Sequence, residues 1–202
     1  MFSKMNLYET SLRAPMIVRA PRAAAREVAG PVEFLDIYPT LVSLAGLPPP
    51  AKGIGKVEGT DLSPLILGSK PGAAEPVAAY SQVTRCNASY NHEIGPCSGE
   101  FGLVHASEFD WMGMSVRTPT HRYVEWRAWH GAALAPVWDG EPVAMELYAH
   151  AADDGEFESY VNSEVVNVCR SRACDSEAAS RVREQLASQV RAVFDPSATG
   201  AR

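Results

Sequence analysis

Apolar residues spaced three or four positions apart predict two helices in this chain. The first begins at Asp36, whose side chain we expect to cap it, carries Pro39 in its first turn and ends at Gly46. The second follows Asp175, and its apolar face is formed by Val182, Leu186, Val190 and Val193. A shorter helical turn is expected at 61–66.

Short apolar runs between turn residues predict the strands. The run 13–21 is closed by prolines and indicates a brief strand, buried in a parallel sheet that is covered on both faces. The other strands are expected at 77–81, 112–117, 122–126 and 146–148, with the middle two forming a hairpin. The pattern therefore predicts an α/β chain that ends in a small antiparallel sheet and a terminal helix.

Composition and charge narrow the classes of partner. The chain has 46% hydrophobic and 21% charged residues, and its 18 basic and 24 acidic side chains give a formal net charge of −6. Nucleic-acid binding normally requires a basic surface, so we expect no nucleic-acid partner. An anionic substrate would have to be held by local cations, because the overall charge repels it. No run approaches the ~18 apolar residues of a membrane span, so none is expected.

The cysteines form two local pairs, Cys86 with Cys97 and Cys169 with Cys174. This spacing suits two small disulfide loops, with four free thiols as the alternative, and it lacks the C-x₂-C pattern of a zinc site. Asn87 begins an Asn-Ala-Ser glycosylation sequon. These features favour an extracellular or lumenal protein, yet the first residues contain no apolar signal region. We therefore expect that N-terminal sequence is missing.

Four blocks of sequence, taken in order, resemble the sulfatase family. The first is Lys-x-x-x-Tyr-Glu at 4–9, followed by Arg-Ala-Pro, and the second is Asp-Ile-Tyr-Pro-Thr-Leu at 36–41. The third is Glu-Gly-Thr-Asp-Leu-Ser-Pro-Leu at 58–65. The fourth is the predicted hairpin, with Ser-Val-Arg at 115–117, continued by Glu-Leu-Tyr-Ala-His at 146–150.

The resemblance implies the alkaline-phosphatase-like α/β fold. Residues 1–80 would be a remnant of the catalytic α/β domain, and 81–202 a C-terminal subdomain with the antiparallel sheet and helix. Family members hydrolyse sulfate esters with a formylglycine made within a C-x-P-x-R motif and with a bound calcium ion. That motif does not occur in the sequence and no Asp-Asp pair precedes the strands, so we expect no metal ligand here and an inactive chain when it is alone. Lys4 matches the family lysine that contacts the sulfate, a role that suits a compact cation.

The segments 80–82 and 112–115 are similar to the iduronate-2-sulfatase branch, which implies a sulfated sugar such as the iduronate 2-sulfate unit of a glycosaminoglycan. Tyr80, Gln82 and His105 would border its pocket. The family and the cysteines imply a lysosomal or secreted location, and the oligomeric state stays open. The histidines show no metal-binding spacing, and 153–156 is expected to be a solvated acidic turn.

Two other functions remain open at this stage. One is a non-catalytic module that binds sulfated glycans or another partner. The other is a phosphoesterase or phosphonate hydrolase of the same superfamily, because a shared fold does not fix the ester that is cleaved.

Overall fold

The structure is a computed structural model that describes residues 5–49, 57–68, 76–86, 98–99, 102–103, 105–153, 156, 158–159, 163–170, 173–195 and 197. The chain divides into two compact units. Met1–Ala14 and Tyr80–Arg202 form one, which we call the sheet unit, and Pro15–Ala79 forms the other, which we call the helical unit. The first fourteen residues thus group with the sheet, whereas the sequence suggested a division into 1–80 and 81–202.

Short helices precede the strands, and one long helix follows them. The α-helices are α1 (Glu9–Leu12), α2 (Ile37–Leu44), α3 (Ser63–Leu67) and α4 (Glu177–Phe194), with 3₁₀ turns at Phe34–Asp36 and Ala106–Glu108. The strands are β1 (Ala79–Arg85), β2 (Ser98–Gly99), β3 (Gly102–Leu103), β4 (Trp111–Arg117), β5 (His121–His130), β6 (Ala135–Pro136), β7 (Ala144–Ala149), β8 (Cys169–Arg170) and β9 (Ala173–Cys174).

The main sheet is built around the hairpin of β4 and β5. These strands pair antiparallel, with Gly113 opposite Trp126 and Arg117 opposite Arg122. Both β7 and β6 pair antiparallel with β5, and β1 lies beside β4. The predicted antiparallel sheet is therefore confirmed.

Alternation of side chains divides the main sheet into two faces. On one face, Met114, Tyr123 and Leu147 of three adjacent strands are at most 1% exposed. Helix α4 packs on β4 and β5, and its Leu186 and Val190 are 3% and 0% exposed. Burying an apolar side chain of this size contributes about 1.5–3 kcal/mol, so this face is the main core of the described residues.

The terminal helix begins and ends close to where the sequence places it. Ser176 caps α4, because its side chain accepts a hydrogen bond from the Ala179 N–H at 3.1 Å. The prediction of a terminal helix is confirmed, with one correction to its apolar face: Val193 is 46% exposed. The buried stripe is narrower than the spacing of the valines suggests, because it lies along Leu186 and Val190.

In the helical unit, two of the four sequence blocks are tied together by short polar side chains. Asp36 Oδ1 accepts the Thr60 N–H at 2.7 Å, and Thr40 Oγ1 accepts the Leu62 N–H at 2.9 Å. A Cβ atom added at Gly59 would lie 1.9 Å from the Leu35 carbonyl oxygen, so the two segments approach closely only because residue 59 has no side chain. The motifs at 36–41 and 58–65 are thus halves of one local structure.

Asp36 does not cap α2 with its side chain, which corrects one sequence prediction. The residue has helical dihedrals, φ −72° and ψ −19°, because the 3₁₀ turn Phe34–Asp36 runs directly into α2. A capping side chain requires an extended backbone at that position. The carboxylate instead accepts the Glu33 N–H at 2.9 Å through Oδ2. The stop at Gly46 is as predicted, with φ +65°.

The predicted buried strand at 13–21 is wrong for this structure. The segment forms no strand, and Ile17 is 93% exposed. A strand of a parallel sheet needs neighbours that bond its N–H and C=O groups, and the described residues of the helical unit provide none.

No described helix is both long enough and apolar enough to cross a membrane.

Candidate functional site

The segment that follows Lys4 lies on the face of the sheet opposite α4. Leu7 is 2% exposed, and the Tyr8 hydroxyl donates to Glu146 Oε2 of β7 at 2.9 Å. The Tyr8 ring meets the Tyr148 ring edge-on, with 5.9 Å between centroids. These contacts hold the backbone of residues 7 and 8 against the sheet.

A buried group of charged side chains fixes the next residue, and we call it the arginine–carboxylate cluster. Its members are Glu9, Arg13, Arg117, Arg122, His150, Asp153 and Glu164. Glu9 is 5% exposed, and its Oε1 accepts from Arg117 Nε at 3.1 Å and from Arg122 Nη2. Its backbone N–H donates to Glu164 Oε2 at 2.6 Å. Helix α1 therefore starts on a residue that is bound through both its side chain and its backbone.

Asp153 links two arginines at the edge of this cluster. Its Oδ2 lies 2.9 Å from Arg13 Nη1 and 3.1 Å from Arg117 Nη2, and the side chain is 4% exposed. The expectation of a solvated acidic turn at 153–156 is thus wrong for Asp153, because two guanidinium groups replace the water. Burial lowers the pKa of Arg117, and the charge of Glu9 opposes that effect.

His150 lies between two carboxylates. The residue is 1% exposed, with Nδ1 3.3 Å from Asp153 Oδ2 and Nε2 3.3 Å from Glu164 Oε1. Burial alone would raise the pKa of Glu164, but the adjacent His150 imidazole and the charge of Arg122 outweigh it, and the pKa is lowered. Glu164 is therefore stabilised as a carboxylate.

The cluster also contains the described residues that come nearest to a metal site. Glu9, His150 and Asp153 present ligand atoms within 4.8 Å of one another. The three carboxylates of the cluster, those of Glu9, Asp153 and Glu164, are however matched by the guanidinium groups of Arg13, Arg117 and Arg122. Calcium requires about 6–8 oxygen ligands, and a dication here would displace or repel those arginines. These residues do not fit a calcium ion, and we assign the cluster to ion pairing.

A second group of residues surrounds Trp126 on the same face of the sheet, opposite α4. It consists of Gly113, Trp126, Glu146 and Arg85, and we call it the Trp126 platform. The indole lies over Gly113, where an added Cβ would be 2.7 Å from Trp126 Cζ3. Its Nε1–H donates to Glu146 Oε1 at 3.0 Å, and the Arg85 guanidinium carbon is 5.3 Å from the ring centroid. Because Gly113 has no side chain, the Trp126 ring can lie over it, and the Arg85 guanidinium stacks on that ring.

The tyrosines beside this platform are held in their neutral form. The Tyr148 hydroxyl donates to Glu146 Oε2 at 2.7 Å, on the oxygen that also receives the Tyr8 hydroxyl. Burial and the Glu146 carboxylate raise the pKa of both tyrosines. Both hydroxyls therefore remain hydrogen-bond donors to Glu146.

Tyr80 and Gln82 lie on β1, on the opposite side of the sheet from the segment after Lys4. The Tyr80 ring contacts Phe194 of α4 at 6.3 Å between centroids, and Gln82 has the same parity along the strand. His105 is exposed and caps the 3₁₀ turn that follows it, with Nδ1 2.7 Å from Ser107 Oγ. The structure does not bring these three together with residues 5–9, and their substrate role stays a prediction.

Other predicted residues lie outside the described part of the chain, namely Lys4, Asn87 and Cys97. The structure has a disulfide between Cys169 and Cys174, which closes the hairpin of β8 and β9, and Cys86 is also disulfide-bonded.

Glu9, Arg117 and Arg122 lie within the family blocks, but the sequence by itself indicates no role for them, nor for Arg85 or Glu164. A charge next to a strand usually indicates a solvated edge. The sequence does place opposite charges in separate blocks, with Glu9 in the first and Arg117 in the fourth. This pattern predicts an ion pair only once the two blocks are known to lie in contact.

Comparison with known proteins gives a consistent set of relatives, although no protein-family model matches the chain. The chain is 37% identical to arylsulfatase K of Danio rerio over 91 residues, which are 44% of this chain and 17% of that protein. It is 26% identical to arylsulfatase K of Xenopus laevis over 157 residues, 77% of this chain and 24% of that protein. It is 40% identical to the steryl-sulfatase of Homo sapiens over 67 residues, 32% of this chain and 11% of that protein.

Among solved structures, the chain resembles a 2-O GAG sulfatase with a TM-score of 0.44 and 19% identity, over 81% of this chain and 26% of that one. The chain thus spans about a sixth to a quarter of the length of the arylsulfatases that it matches.

Proposed function

We propose, from the premise that this chain is related to the sulfatases, that it forms part of a sulfuric ester hydrolase acting on sulfated glycans. The observation that carries the proposal is the arginine–carboxylate cluster. Glu9 comes from the first family block, and Arg117 and His150 come from the fourth, 108 residues and more along the chain. Blocks that resemble a family only by chance would have no reason to supply complementary charges to one buried site.

The cluster gives the chain a definite part in such an enzyme. It holds the start of α1 against the sheet, and the Tyr8 hydroxyl bond to Glu146 holds the preceding residue. A side chain works as a sulfate contact only if its backbone is fixed, because misplacement of a charged group removes its stabilising effect on the transition state. We propose that this anchored segment presents Lys4 to the sulfate.

The other parts of the reaction would come from residues that are not among these 202. The sequence contains no C-x-P-x-R, the motif from which the family makes formylglycine. The arginine–carboxylate cluster does not fit a calcium ion. We propose that nucleophile and metal are supplied by the rest of an alkaline-phosphatase-like domain, that a glycosaminoglycan such as an iduronate 2-sulfate polymer is the substrate, and that the protein is lysosomal or secreted.

Turnover of 4-nitrocatechol sulfate and of 4-nitrophenyl phosphate tests the reaction class. The 202-residue chain is expected to give no sulfate release above a Lys4→Ala control. The longer protein encoded together with this segment and containing C-x-P-x-R is expected to prefer the sulfate ester, and Lys4→Ala should reduce its kcat. Preference of that longer protein for the phosphate ester would instead identify a phosphoesterase, and its binding of sulfated glycan without any turnover would identify a non-catalytic module.

A further inference from the structure

We propose that Arg85 is a substrate-binding residue that contacts an anionic group, carboxylate or sulfate, of the sulfated sugar. The inference rests on the proposed function and adds to it a cation that lies outside the four family blocks.

Arg85 differs from the other arginines that are buried or half-buried in the sheet unit. Each of those has a carboxylate within 4.0 Å, as shown by Arg117 with Glu9, Arg122 with Glu164, Arg127 with Glu125 and Arg183 with Glu184. Arg85 has no such partner among the described residues. Its guanidinium donates only to backbone carbonyls, from Nη2 to Met5 at 2.6 Å and from Nη1 to Thr84 at 3.0 Å.

A half-buried guanidinium without a counter-ion is costly, because burial disfavours its charged form. Burial accordingly lowers the pKa of Arg85, and Tyr8 and Glu146 only partly offset this effect. Glu146 acts on Arg85 only from beyond 4.0 Å, and its oxygens accept instead from the Trp126 indole and from the hydroxyls of Tyr8 and Tyr148. An external anion would supply the missing charge.

The Trp126 platform holds the guanidinium in a fixed orientation. Gly113 allows the indole to lie flat on the sheet, the Glu146 bond sets its rotation, and Arg85 stacks above the ring. A guanidinium has five N–H donors in its plane, and Arg85 uses two of them on the Met5 and Thr84 carbonyls, so three remain for contacts to an oxyanion. The platform is therefore preorganised for an anion.

The position of Arg85 connects it to the proposed sulfate contact. It binds the carbonyl of Met5, the residue that directly follows Lys4 in the sequence. Arg85 is on the face of β1 that meets this segment, whereas Tyr80 and Gln82 are on the other face.

The test is an equilibrium titration of the full 202-residue chain with a 2-O-sulfated uronic acid disaccharide prepared from heparin, by calorimetry. Arg85→Gln is expected to weaken binding about tenfold or more, the usual effect of removing a charge-assisted hydrogen bond. Arg85→Lys should be intermediate, because it keeps the charge and loses the planar fork. The matched control is Arg191→Gln, which removes a cation stacked on Trp138 and paired with Asp195 on α4. Binding by this control should stay within about twofold of wild type.

A titration with the desulfated disaccharide shows whether Arg85 contacts the carboxylate or the sulfate. If Arg85→Gln still weakens its binding about tenfold, Arg85 contacts the carboxylate; if the difference disappears, Arg85 contacts the sulfate. Should Arg85→Gln fail to fold, the wild-type chain decides, because the Arg85 Nε–Hε resonance, assigned from Arg85→Lys, must shift on titration.

Equal binding by wild type and a folded Arg85→Gln, or an unmoved Arg85 resonance at saturation, overturns this inference and leaves the proposed function standing. Failure of the folded wild-type chain to bind any sulfated disaccharide also overturns this inference, whereas the proposed function is overturned separately, by absence of sulfate release from the longer protein.

Discussion

The sheet unit buries charged side chains together, whereas the helical unit buries short polar side chains that bond to the backbone. In the sheet unit, Glu9, Arg122 and His150 are at most 5% exposed. Arg122 pairs with both Glu9 and Glu164, and His150 also lies beside Glu164. In the helical unit, the buried polar residues Asp36 and Thr40 accept N–H groups from the third family block. Both arrangements join distant pieces of chain, but only the first depends on charge.

The two units also differ in how much apolar surface they bury. The sheet unit has a core between α4 and the sheet, while Leu62 and Leu65 are the buried apolar residues among those described in the helical unit. Large apolar side chains of that unit are exposed, including Ile17 at 93%, Phe34 at 72% and Leu41 at 57%. The helical unit therefore relies on hydrogen bonds and on close backbone approach for its local structure, and these two kinds of support can be separated by mutation.

The largest effect is expected from Arg122→Ala in the sheet unit. The change leaves Glu9 and Glu164 buried with one cation fewer, and breaking a buried pair in this way costs about 3–5 kcal/mol. The four tryptophans, Trp111, Trp126, Trp129 and Trp138, all lie in the sheet unit, so urea unfolding followed by their fluorescence reports on it alone. Arg181→Ala, which breaks an exposed pair on α4, should cost less than about 1 kcal/mol. Similar losses for the two variants would show that the cluster does not stabilise this unit.

An intermediate effect is expected from Gly59→Ala in the helical unit. The new Cβ would lie 1.9 Å from the Leu35 carbonyl oxygen, and overpacking of this kind costs about 1–3 kcal/mol. Hydrogen exchange at the Thr60 and Leu62 amides should accelerate, because both are bonded across this contact. Glu58→Ala, an exposed neighbour, serves as the control. If exchange at these amides is unchanged, the close approach does not hold the two blocks together.

The smallest effect is expected from Glu164→Gln, and it depends on pH. The folded-state pKa of Glu164 is lowered from its usual value of 4.5, so its contribution to stability is present above that pH and is lost as pH falls through the folded pKa. The wild-type chain should therefore be more stable than the variant at neutral pH, and the two stabilities should converge in acid. Urea unfolding between neutral pH and about pH 3 measures this difference. A constant difference across that range would mean that Glu164 does not titrate as a paired carboxylate.

The elements that the sequence predicted well are those with a strong local pattern. Helix α4 has a capping serine and an apolar stripe, and the β4–β5 hairpin has alternating residues around a proline turn. The strand expected at 13–21 failed because a strand in a parallel sheet is defined by its neighbours and not by its own residues. Asp36 was expected to cap α2, but the preceding 3₁₀ turn gave it helical dihedrals and a different set of partners.

The site was less predictable than the fold. Lys4 was found through the family blocks, but Arg117, Arg122 and Glu164, which bind Glu9, lie 108 to 155 residues away from it. Asp153 was expected in a solvated turn because an isolated acidic residue is normally hydrated. Its burial depends on Arg13 and Arg117, and no local pattern could indicate that these three residues meet.

By itself, the sequence determined the periodic elements, the family resemblance and the absence of C-x-P-x-R among these residues, because each of these is carried by neighbouring positions or by fixed spacing. The tertiary structure alone decided which charges are buried together. It also decided that Tyr80 lies on the face of the sheet that packs against α4, that Arg85 lies on the opposite face, and that Arg85 has no carboxylate partner among the described residues. The physical reason is that burial and pairing of a charge depend on groups brought together from distant parts of the chain.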